Sequence, residues 1–125
     1  MERATGIGGV FFRASDPATL AEWYRQALGI DTFAGESGTP WFQEAGATAF
    51  SAFPRDTDYL GRPEQQVMLN FRVTDLDAML QQVRAAGGTV DDDLQEYEGL
   101  GRFGWATDPE GNRFELWQPA PEDGG

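Results

Sequence analysis

The segment Gly8 to Ala14 alternates apolar and variable residues, the period of a strand. Asp16 follows where a helix N-cap belongs, with Pro17 at the first helical position, where a missing N–H costs nothing. Leu20, Trp23, Tyr24, Ala27 and Leu28 then fall on one helical face, and Gly29 supplies the stop. The same change of period returns later: a strand-like run ends in NFRVTD, Asp75 caps, Leu76, Met79, Leu80 and Val83 form the stripe, and Gly87-Gly88 ends it. Short strand patterns follow each helix. In the first half they lie around Asp31 to Ala34, Trp41 to Gln43 and Ala47 to Phe53, separated by GESGTP and the Glu44-Ala45-Gly46 turn. In the second half they lie around Thr89 to Val90, Gly101 to Thr107 and Arg113 to Gln118; DPEGN joins the last two in a type I pattern.

The two halves keep a fixed offset. Phe12 and Phe71, Arg13 and Arg72, Asp16 and Asp75 are each 59 apart (71 − 12, 72 − 13, 75 − 16), so one supersecondary unit is used twice. Each half therefore predicts strand, helix, strand, strand, strand. One domain spans residues 1–125, built from a module at 7–54, a linker at 55–66 and a module at 67–119, with a fraying tail at 120–125. The run DDDLQEYEG lacks the spaced oxygen ligands and glycine of a cation loop and reads as a solvated loop.

Composition narrows the chemistry. With no Cys and no His, disulfides, thiolate nucleophiles and the commonest metal ligand and general base are excluded. The 21 acidic residues face 9 basic ones, all Arg, for a net charge of −12, a surface that repels nucleic-acid backbones and anionic membranes. That excess is either solubility in a salt-adapted setting or an attraction for a cationic ligand. The longest apolar run, about Ala4 to Phe12, is too short to cross a bilayer, and the chain reads as a cytoplasmic protein.

A tandem βαβββ repeat whose halves open on strand-R-x-[ST]-D-helix, with GGVFFRASDP at the start and FGWATDPEGNRFELWQP at the end, resembles the vicinal oxygen chelate (VOC) superfamily. That superfamily includes glyoxalase I, bleomycin-resistance proteins and extradiol dioxygenases. The resemblance covers about Ile7 to Pro119 and implies an α+β, glyoxalase-like fold in which the two modules form a curved mixed sheet around a central cavity, in a homodimer. It also implies where a metal would be held: on the first and last strands of each module. The first-strand position, seven before the capping Asp, falls on Gly9 (16 − 7) and Met68 (75 − 7); the last-strand position falls on Glu115 and, laying GATAFSAFP over GNRFELWQP, on Phe50. Only Glu115 is a donor for a hard cation, so no tightly bound metal is expected.

Strand parity then gives the expected lining. Phe11 and Arg13 share a face with Gly9, Asn70 and Arg72 with Met68, Thr48 and Ala52 with Phe50, and Arg113 and Trp117 with Glu115. The opposite parity, Val10, Phe12, Leu69, Phe71, Val73, Phe114 and Leu116, is apolar throughout and predicts the core beneath the helices. Phe11, Arg13, Phe50, Met68, Asn70, Arg72, Arg113, Glu115 and Trp117 thus form a candidate small-molecule site, apolar with a few polar handles. Glu115 either meets a ligand there or pairs with Arg13, Arg72 or Arg113; Trp41 and Trp105 line either the cavity rim or a dimer contact. The expected function is a metal-free protein holding an aromatic or partly cationic small molecule. The alternative is a glyoxalase-type lyase, isomerase or dioxygenase using Glu115 as base or as ligand to a weakly held divalent metal.

Overall fold

The computed structural model describes residues 1–31 and 38–121. Helix α1 (Pro17–Leu28) starts where the sequence places its cap: the Asp16 carboxylate accepts from the backbone N–H of Thr19 at 3.1 Å. It stops at Gly29, whose left-handed backbone (φ 70°) suits the only residue without a Cβ. The second half follows as β1 (Leu69–Arg72), α2 (Leu76–Ala85), β2 (Thr89–Val90), β3 (Gln95–Tyr97), β4 (Gly101–Thr107) and β5 (Arg113–Pro119). Asp75 caps α2 by accepting from Ala78 N at 3.0 Å, so the duplicated caps perform one job at both sites.

The sheet runs β1-β5-β4-β2, with β3 also on β4. β1 pairs parallel with β5 and the other pairs are antiparallel, so the sheet is mixed, with one strand (β3) more than the expected βαβββ unit. Both helices pack on one face of it. Leu20, Trp23, Tyr24 and Ala27 of α1, Leu76, Leu80 and Val83 of α2, and Ala106, Phe114 and Leu116 of the sheet are buried in a single cluster. Burying each large side chain in it contributes roughly 2 kcal/mol of stabilisation. The helices are also tied by polar contacts: Trp23 Nε1 donates to Ala86 O at 2.9 Å and Gln82 Nε2 to Ala27 O at 2.8 Å.

The α+β class and the mixed sheet are those expected, but the first half departs from its expected pattern. Among its described residues it holds one helix and no strand: residues 8–14, 41–43 and 47–53 run without a ladder. The strand expected at 31–34 lies, Asp31 apart, outside the described residues, as does the first half of the GESGTP loop; residues 122–125 of the expected tail lie outside them too. Alternation tells which face a strand would show; it does not supply the neighbour that strand must pair with. As a consequence α1 covers the second half's sheet, through Tyr24 against Phe71 and Phe114. Of the expected core, Phe114 and Leu116 are buried and Phe71 and Val73 pack against them, whereas Val10 and Phe12 are about half exposed. The acidic run at 91–99 is a loop only in part, since Gln95–Tyr97 adds to β4 with all three residues exposed.

Candidate functional site

The sheet face turned away from the helices carries the polar and aromatic side chains. The register fixes them as neighbours: Asn70 opposite Glu115 and Arg72 opposite Trp117 between β1 and β5, then Trp105 opposite Glu115 and Phe103 opposite Trp117 between β4 and β5. The hairpin that sets the second register is DPEGN, where Gly111 N donates to Asp108 O and Asp108 N to Asn112 O.

Glu115, partly buried, has both carboxylate oxygens engaged. Asn70 Nδ2 donates to Oε1 at 2.7 Å, and the Tyr59 hydroxyl donates to Oε2. Trp105 Nε1 in turn donates to the Tyr59 hydroxyl oxygen at 3.1 Å. Burial first, and then the Glu115 carboxylate as hydrogen-bond partner and negative charge, push the Tyr59 phenol up to about 12. Tyr59 therefore acts as a neutral donor at neutral pH.

No guanidinium reaches Glu115 among the described residues. Arg113 forms a 2.6 Å ion pair with Asp91, donates through Nε to Tyr59 O at 3.2 Å and lies 5.6 Å over the Trp105 ring. Arg72 donates to Glu44 O at 3.0 Å and lies against the backbone of Gly46, where a Cβ would collide with it. Rings surround the carboxylate: Trp105 is 6 % exposed, Phe103 and Trp117 stack with centroids 5.9 Å apart, and Phe53 stacks on Tyr59.

Of the sequence-predicted residues, Asn70, Arg72, Arg113, Glu115 and Trp117 share this face, and Met68 sits partly buried just before β1. Phe11 (95 % exposed), Phe50 (91 % exposed) and Arg13 project into solvent and are not brought to Glu115. Tyr59, Phe53 and Phe103 are absent from the sequence-predicted set, and the sequence left Trp105 between the cavity rim and a dimer contact. Trp105 was legible in principle, because a hairpin pairing 107 with 113 also pairs 105 with 115, both sums being 220. Tyr59 left no signal, since it lies in a linker without periodicity.

A family model described as "Glyoxalase-like domain" matches residues 9–117. The chain belongs to this glyoxalase-like family, within the VOC superfamily. Solved structures similar to this glyoxalase-like domain include a glyoxalase-related enzyme from Fulvimarina pelagi (17 % identity, 98 % of this chain and 96 % of that one, TM-score 0.57). A member of the glyoxalase/bleomycin resistance protein/dioxygenase superfamily from Sphaerobacter thermophilus is also similar (17 % identity, 84 % and 90 %, TM-score 0.53). So is TioX from Micromonospora sp. ML1 (15 % identity, 86 % and 93 %, TM-score 0.54). Among curated proteins, none matches this chain.

The residues of this glyoxalase-like domain do not suit the metal that the superfamily implies. Among the described residues no three Asp or Glu side chains gather into a possible metal site. Around Glu115 the further groups are a phenol, an amide and an indole N–H, a poor donor set for a hard divalent cation.

Proposed function

We propose that this glyoxalase-like domain is a small-molecule-binding protein that holds an aromatic or partly cationic ligand on the Glu115 face, without a tightly bound metal. One observation carries the proposal: a carboxylate with no cationic partner among the described residues sits, partly buried, among Tyr59, Phe103, Trp105 and Trp117. Aromatic walls supply apolar area and π-faces for a ring or an ammonium, and the carboxylate orients it. A net charge of −12 steers cations toward the protein and anions away from it.

The second copy expected from the superfamily resemblance belongs to the same proposal. The chain exposes 9582 Å², against roughly 6,600 Å² for a compact monomer of its 13.8 kDa. Much of the apolar surface left open is in the first half, where Phe11, Phe12, Phe42, Phe50 and Phe53 are all exposed. A homodimer would cover it. Among the described residues no helix is long and apolar enough to cross a membrane.

A thermal-shift screen of aromatic and aromatic-ammonium compounds tests the function. A native-state ligand at 100 times its Kd stabilises by about 2.7 kcal/mol, enough to raise the melting temperature by several degrees. Glu115→Gln should abolish the shift given by cationic members of the set. If no compound stabilises the wild type at millimolar concentration, the binding function is wrong.

A further inference from the structure

The side chain that closes on Glu115 is itself shaped like a ligand. Tyr59 comes from the linker between the halves, yet its ring occupies the aromatic face of the sheet. Phe53 stacks on it with centroids 5.5 Å apart and planes 5° from parallel, and Trp105 meets it edge-on at 6.2 Å and 85°. At the ring's polar end one oxygen makes two bonds of opposite sense: it donates to Glu115 Oε2 and accepts from Trp105 Nε1. A ring plate, a ring wall, an acceptor and a donor together form the complement of a single hydroxyaryl group.

The two-way bond sets the chemical class. Any group replacing the Tyr59 hydroxyl must donate a hydrogen bond to the carboxylate and accept one from the indole N–H. A hydroxyl does both; an ammonium has donors only, and a carbonyl has acceptors only. Trp105 is 6 % exposed, so its N–H has little water to turn to if that acceptor is lost. A site with buried polar groups discriminates strongly against a ligand lacking the matching hydroxyl.

Building on the binding function proposed above, we infer that the Glu115 site takes a phenolic group of an external ligand, and that Tyr59 is its intramolecular stand-in, displaced when such a ligand binds. The linker is arranged so that the ring can leave while its backbone stays. Residues 55–66 contain no helix or strand, but they are pinned at Arg113: its Nε donates to Tyr59 O at 3.2 Å, while Gln65 accepts from Arg113 N at 2.9 Å and donates to Arg113 O at 2.7 Å. Arg62 adds a bond to Glu110 O at 3.2 Å. None of these anchors involves the phenol, and the Tyr59 side chain is only partly buried. Rotation about χ1 would free Glu115 and Trp105 without unfastening the chain.

The test uses 4-methylphenol, which is the tyrosine side chain as a free molecule, and toluene, its counterpart without the hydroxyl. Titrations are followed by the fluorescence of the chain's four tryptophans, of which Trp105 and Trp117 lie on this face. Tyr59→Ala is expected to bind 4-methylphenol saturably, at least tenfold tighter than the wild type, where the resident ring competes. The same variant should prefer 4-methylphenol to toluene at least tenfold, and adding Glu115→Leu, which leaves the phenol O–H without its acceptor, should reduce that preference severalfold. Equal binding of the two compounds to Tyr59→Ala, or binding of neither, overturns the inference. Should Tyr59→Ala lose its fold by circular dichroism, Tyr59→Phe replaces it: it keeps the stacked ring without the hydroxyl, so 4-methylphenol should bind severalfold tighter than to the wild type, and an unchanged affinity overturns the stand-in. The outcome separates from that of the broader function. An aromatic ammonium compound that stabilises the wild type while 4-methylphenol shows no preference for Tyr59→Ala sinks the phenol assignment alone; a wild type indifferent to every compound in the screen sinks both.

Discussion

A carboxylate with 4 % exposure must find its partners inside the protein, and Asp108 finds four. It accepts from Glu110 N, Asn112 N and Asn112 Nδ2 within its own turn, and from the Tyr24 hydroxyl at 2.7 Å on α1, 84 residues away. The neighbouring Glu110 carboxylate receives Ser15 N at 2.6 Å and Asp16 N at 3.0 Å. The DPEGN turn is thus a latch that holds the start of α1 and its buried tyrosine. Tyr24→Phe keeps the ring packing and deletes one charge-assisted bond, so it should cost about 1–2 kcal/mol in urea unfolding; no change would dismiss the latch. Alkali probes the same contacts. Burial and the adjoining carboxylates raise the pKa of both Tyr24 and Tyr59 in the folded chain, Tyr59 to about 12. A raised folded value means that the contribution is complete below the unfolded pKa near 10 and is lost as pH climbs toward the folded value. Stability should accordingly fall above pH 10, and less steeply in a Tyr24→Phe/Tyr59→Phe double variant, as followed by unfolding at stepped pH. The turn itself was legible from Asp, Pro and Gly at fixed offsets. Its hold on Tyr24 was not, because a contact across 84 residues leaves no local pattern.

Among the elements, helices announced themselves most clearly. Capping is a matter of a few consecutive residues, so Asp16-Pro17 and Asp75 mark their own helix starts, and a stripe at period 3.6 names its buried side without reference to anything else. In the second half β4 and β5 were equally readable, since a short turn joins them and brings the partner with it, whereas β3 lies in a run that reads as a loop. The segments at 8–14 and 47–53 had period without partner, and no ladder forms on them among the described residues. The second of these, apart from Phe50 and Phe53, is made of Ala, Ser and Thr, which offer little side-chain area to stabilise a pairing. A sharper constraint lies at the start of β4. Gly101 has φ 127°, and a Cβ there would stand 2.1 Å from Gln118 O. Gly101→Ala should therefore cost more than about 2 kcal/mol, by backbone strain and by prising β4 from β5. Chemical denaturation reads that loss; a variant as stable as the wild type would show that the strands part freely there.

At the scale of the whole molecule the asymmetry between halves matters most. One half builds a sheet and the other lends it a helix, leaving a row of exposed phenylalanines and more surface than a compact chain of this mass should have. Light scattering behind size exclusion is expected to return about twice 13.8 kDa at micromolar concentration. A Phe11→Asp/Phe50→Asp variant should run as a helical monomer, because a charge placed in an apolar contact is costly to bury. A wild type that stays monomeric at every concentration would refute the homodimer. By itself the sequence determined what nearest neighbours decide: the two capped helices, the apolar stripes, the final hairpin and the face on which Glu115 lies. Only the tertiary structure decided which groups touch that carboxylate. Tyr59, with no period to betray it, takes the place where Arg13, Arg72 and Arg113 were all eligible. Local pattern follows from steric and solvent preferences a few residues long. Contact across the chain depends on which surfaces meet once those pieces fold, and that is a property of the assembled whole.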